Sequence, residues 1–189
     1  MTWTQPYRRK REGRTDYRKR LKLLVSRSIR LVVRLSERHV VAQLVEYSIT
    51  GDKVLVTASS KELEKLGWKA GGGSLPAAYL VGALLARKAA KLKLEKAILD
   101  TGKRTPLARS RVYAVLRGSV EQGLKVPHGE EILPEESRVQ GKHIEEYAKF
   151  LKGADAERYR KQFSAYLKRE VDPTAFTKYV NSFKEKVLQ

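Results

Sequence analysis

The 189-residue chain carries 40 Lys and Arg against 21 Asp and Glu, a formal charge of +19, with 41% hydrophobic residues and no cysteine. That surplus exceeds what solubility needs and requires an anionic partner, while the hydrophobic share supports a folded core. Disulfides, thiolate metal sites and cysteine nucleophiles are excluded. His39, His128 and His143 are too dispersed for a ligand-spaced metal cluster. No run approaches the ~20 apolar residues of a membrane span and the N-terminus lacks a signal-peptide core, so a soluble intracellular protein without a cofactor is expected.

The chain opens with a basic run, Arg8 to Leu24, RRKREGRTDYRKRLKLL, interrupted only by the acids Glu12 and Asp16. Its arginine bias and its tyrosines, Tyr7 and Tyr17, favour phosphate contact and base stacking over a merely solvated tail. It has no broad apolar face for a membrane surface. The run leads into Ile29 to Ser36, where alternation places Ile29, Leu31, Val33 and Leu35 on one face of a strand and Arg30, Val32, Arg34 and Ser36 on the other. Positive charge is thereby expected to continue from a flexible arm onto an exposed sheet face.

Short polar links lead to a second strand, Val40 to Tyr47, and through Gly51-Asp52-Lys53 to a third, Val54 to Ala58, predicting an antiparallel meander. Ser59 and Ser60 are candidate caps for a short helix over Lys61 to Leu66, stopped by Gly67. The loop Trp68 to Ser74 holds three consecutive glycines; it lacks the GKS/T ending of a nucleotide loop and reads either as a connector or as a contact for an RNA backbone. A helix rich in small residues follows, Leu75 to about Lys91, with Pro76 in its first turn, then a strand Ala97 to Asp100 and a second core helix from Pro106 to about Gln122. The order β-β-β-α-β-α predicts an α/β fold: a mixed sheet with helices on one face, plus a basic N-terminal arm and a helical C-terminal extension.

That order also resembles a nuclease fold whose strand carboxylates hold two metal ions. The first strand carries no acid, and Asp100 reads as a strand-end residue bonding to the following turn. The segment Leu124 to Gly141, with Glu130, Glu131, Glu135 and Glu136, reads as an extended acidic connector, either solvated or packed on basic surface. Three tail helices are predicted, at His143 to Lys152, Ala156 to Glu170 and Thr174 to Leu188. Asp155 and Asp172 stand at N-cap positions, and aromatic stripes imply that the tail folds onto this domain or a neighbour. The divisions expected are residues 1–26 as arm, 27–126 as core RNA-binding domain, and 127–189 as connector and helical extension.

Several stretches together, the arm ending in RLKLL, the strand RLVVR, the helix start LPAAYLVG, the strand end ILD and the connector VPHGEEILPEESRVQGKHI, resemble the archaeal and eukaryotic type of large-subunit ribosomal protein eighteen. The resemblance covers Arg8 to about Phe150. It implies a non-enzymatic structural protein of the cytoplasmic ribosome, one copy per particle. The implied role is to bind 5S ribosomal RNA and attach it to the central protuberance, beside large-subunit ribosomal RNA and neighbouring ribosomal proteins. By motif it implies RNA contacts from Arg8, Arg9, Lys10, Arg11, Arg14, Tyr17, Arg18, Arg20 and Lys22 in the arm, from Arg30 and Arg34 in RLVVR, and from Trp68 and Lys69 in GWK. The charge pattern also admits a protein–protein adaptor acting through its aromatic tail.

Overall fold

A computed structural model describes residues 4–188; the first three residues of the expected arm and the last residue of the expected extension lie outside it. The arm forms two helices, α1 (Arg8–Arg11) and α2 (Tyr17–Val25). The two acids that interrupt its charge explain this. Asp16 caps α2 by accepting from the backbone N–H groups of Arg18 and Lys19, and Glu12 pairs with Arg8 and Arg14.

The sheet comprises β1 (Arg30–Leu35), β2 (Val40–Glu46), β3 (Lys53–Ser59) and β4 (Ile98–Asp100), in the order β3-β2-β1-β4. β1 and β2 pair antiparallel, as do β2 and β3, and β4 returns parallel to β1 with Leu31 opposite Leu99. Between β3 and β4 run α3 (Ser60–Lys65) and α4 (Leu75–Lys91); α5 (Arg111–Glu121) follows β4. Both α4 and α5 pack against the sheet face that carries Leu31, Val33, Ala42 and Leu44, which forms the core. The mixed sheet, the antiparallel meander of its first three strands and the helices on one face therefore match the expectation from sequence.

Two glycines bring α4 and α5 unusually close. A Cβ on Gly82 would stand 2.0 Å from the Val115 carbonyl oxygen, and one on Gly118 would stand 2.1 Å from that of Tyr79. The Ser119 hydroxyl donates into the same seam, to the carbonyls of Gly82 and Val115. α5 starts at Arg111 rather than near Pro106, because Arg109 adopts φ 58° and Ser110 is extended.

The connector is more ordered than expected. A 3-10 turn at Glu130–Ile132 and α6 (Glu136–Val139) interrupt it, and Arg109 and Arg117 bind Glu135 and the Pro134 carbonyl. The tail adds α7 (Lys142–Ala154), α8 (Ala156–Gln162), α9 (Ser164–Lys168) and, after a 3-10 turn, α10 (Phe176–Leu188). The single helix expected over Ala156 to Glu170 is broken at Phe163. That ring is buried with Ala148, Leu151 and Tyr159, and Tyr166 links it to Phe176, with ring centroids 5.9 and 5.6 Å from the two.

The tail docks on its own core. Phe176, Val180, Phe183 and Val187 belong to the same buried cluster as α4 and the sheet, and Phe176, Tyr179 and Phe183 surround Trp68 with ring centroids 5.0–6.3 Å away. Tyr179 also accepts the backbone N–H of Lys69 at 2.7 Å.

Candidate nucleic-acid interface

The second face of the sheet, away from α4 and α5, is covered in part by the arm. Between them lies a groove of about 410 Å³, bordered by Arg9, Arg14, Lys19 and Arg20 of the arm and by Arg34, Lys103 and Arg104 of the core. Its floor includes Val32, Gln43, Val45 and Val54. Val32 and Val45 are buried although the strand alternation places Val32 on the solvent side, and both border the groove that the arm residues also line.

Four charged side chains link arm, sheet and turn. Arg20 of α2 donates to both oxygens of Asp52, at 2.9 and 2.8 Å. Arg30 of β1 places Nη2 2.8 Å from Asp52 Oδ2 and Nη1 2.8 Å from Asp100 Oδ2. The other oxygen of Asp100 accepts the Gly102 backbone N–H at 2.8 Å, the strand-end role expected for it. Burial acts to raise the Asp52 carboxyl, but hydrogen bonds from Arg20 and Arg30 outweigh it and hold the group below its ordinary value. Lys19 adds a second tie to the end of β4, its ammonium 2.8 Å from the Thr101 hydroxyl.

The residues expected to meet RNA divide sharply. Arg8, Arg9, Lys10, Arg11, Arg14, Arg18, Lys22 and Arg34 are exposed, and Tyr17 is half-buried with its ring 5.4 Å from that of Tyr7. Arg30 is a correction: the alternation puts it on the open face, yet it is only 2% exposed, because Asp52 and Asp100 close around it. Trp68 is a second correction. It is also 2% exposed, walled in by aromatic rings that lie more than 100 residues later in the chain, and so presents no free face for stacking. Arg20 is half-buried and engaged with Asp52. Lys69 is exposed, pairs with Glu170, and lies by the glycine loop rather than the arm groove.

The glycine loop itself has a packing explanation. A Cβ on Gly73 would come within 2.3 Å of the Glu37 carbonyl oxygen, and one on Gly72 within 3.0 Å of the Arg38 carbonyl oxygen. Small residues are required because the loop presses against the β1–β2 turn. Sequence reasoning overlooked Lys103 and Arg104, which follow the TG turn after Asp100, and Asp52 in a turn read only as a hairpin link. A cationic pair just beyond a strand end, on the same side as the arm, was the available signal.

Among the described residues no helix is long and apolar enough to cross a membrane. Residues 2–97 match the family described as ribosomal large subunit proteins 60S L5, and 50S L18. Its members are structural, non-enzymatic constituents of the large subunit in the cytoplasmic ribosome, with ribosomal RNA and other ribosomal proteins as partners. The matched span takes in the arm, the first three strands and all of α4, about half of the chain, and this protein therefore belongs to that large-subunit ribosomal family.

Proposed function

We propose that this protein binds 5S ribosomal RNA through the arm and the open sheet face and attaches it to the central protuberance. The observation that carries this reading is the groove between arm and sheet, where Arg9, Arg14, Arg34, Lys103 and Arg104 converge. Phosphates are spaced closely enough along an RNA backbone to meet several such cations at once, and neutralising them releases condensed counterions. Exposed Arg8, Lys10, Arg11, Arg18 and Lys22 extend the same basic surface, and Tyr7 and Tyr17 offer rings to unpaired bases.

The test is a salt titration of binding to 5S ribosomal RNA, with transfer RNA and an unrelated hairpin as competitors. Binding to 5S RNA should survive competition, with a log–log salt slope matching several released counterions. Equal binding of all three RNAs, lost together as salt rises, would reduce the surface to nonspecific attraction.

A further inference from the structure

The arm is held by few atoms. α2 contains no fully buried residue, so apolar packing does little to fix it, and its attachment falls on the contacts of Lys19 with Thr101 and of Arg20 with Asp52. Asp52 is shared between the arm and the buried Arg30. We propose that Asp52 is a positioning residue for RNA binding, its carboxylate strapping the arm across the open sheet face before RNA arrives and so shaping the groove that receives the phosphate backbone. This deepens the RNA-binding reading and rests on it.

Arg20, Arg30, Asp52 and Asp100 form a closed set of two cations and two anions, which offers phosphate no net attraction. The contribution of the set is geometric. With Arg20 tied down, Arg9 and Arg14 stand opposite Arg34, Lys103 and Arg104 across one groove. The arm's turn already meets the loop after β4, since a Cβ on Gly13 would lie 2.9 Å from Lys103 Nζ. A free arm would have to be ordered at the moment of binding, at a cost in conformational entropy that a strapped arm has already met.

Charge and positioning predict opposite signs for one substitution. Removing a carboxylate from a phosphate-binding face raises affinity if only charge matters. Under the strap, Asp52→Asn lowers affinity for 5S RNA by about five- to tenfold at moderate salt, through loss of preorganisation. Asp52→Glu restores most of the loss.

Because the chain has no cysteine, spin labels can be placed uniquely on Val25→Cys of α2 and Ile49→Cys of the β2–β3 turn, both exposed sites. The RNA-free protein should give one narrow interlabel distance, which broadens in Asp52→Asn and narrows again in Asp52→Glu. Arg20→Gln leaves the Arg30 pairs in place and should broaden the distance equally, covering the case in which Asp52→Asn does not fold. A narrow distance in both variants overturns the strap, and so does an Asp52→Asn protein with a loose arm and unchanged or higher RNA affinity. Absence of 5S preference in the parent protein would instead overturn the RNA assignment, leaving the distance result to report on the strap by itself.

Discussion

Glu145 of α7 accepts the backbone N–H of Thr177, in the first turn of α10, at 3.0 Å, so one tail helix caps the next across 32 positions of sequence. The Lys149 ammonium at 2.6 Å, and then Thr177, hold the Glu145 carboxyl at about 2, well below its ordinary 4.5. Asp172 is lowered in the same way by Thr174, whose N–H and hydroxyl both reach it.

Both groups have depressed folded values, so the stability they contribute is present above the ordinary carboxylate range and is lost as pH falls through those values, about 2 for Glu145. Denaturant midpoints should therefore drop between pH 4.5 and about 2, and Glu145→Gln should flatten that dependence while costing about 1 kcal/mol at neutral pH. An unaltered acid limb in Glu145→Gln would remove Glu145 from this role.

Arg30 and Arg34 share a strand and a nominal face but should behave differently. Arg30→Ala leaves Asp100 and Asp52 short of a cation in a buried setting and should cost about 3–5 kcal/mol of stability. Arg34→Ala, exposed, should shift stability by no more than about 0.5 kcal/mol while weakening RNA binding by about 1–2 kcal/mol. Thermal melts and RNA titrations on the same two variants separate these outcomes.

The α4–α5 seam has no room for a methyl group. Gly82→Ala would set a Cβ 2.0 Å from a backbone carbonyl, forcing the helices apart at a cost of about 1–3 kcal/mol or more. Gly129→Ala, at a position with open space around it, should be neutral within about 0.5 kcal/mol. Similar denaturation midpoints for the two would show that the seam relaxes freely.

The tail should prove inseparable from the core. Phe176→Ala removes a fully buried ring beside Trp68 and should cost about 3–5 kcal/mol. Deletion of residues 174–189 should abolish the single cooperative unfolding transition, followed by near-ultraviolet dichroism. A truncated chain that unfolds cooperatively with unchanged RNA affinity would instead favour the adaptor reading, in which the tail serves a separate partner.

Local patterning made much of this protein legible. Period-two alternation located β1, short polar links between β-rich runs located β2 and β3, the small-residue run located α4 to its ends, and Asp155 and Asp172 marked helix starts that they do cap. These signals depend on neighbours within a turn or a strand. The surplus of charge likewise required an anionic partner whatever the fold. Where side chains meet across long separations, only the tertiary structure decided. Arg30 reads as solvent-facing by alternation, but Asp52 and Asp100, 22 and 70 positions away, enclose it. Trp68 reads as a free ring in a glycine loop, yet α10 arrives more than 100 residues later to bury it. The glycines at 72 and 73 read as a flexible connector, and serve close backbone approach instead. The physical reason is common to all three. Periodicity and propensity encode a residue's direction relative to its own backbone, whereas burial, ion pairing and close approach depend on which distant segment comes to lie on that side.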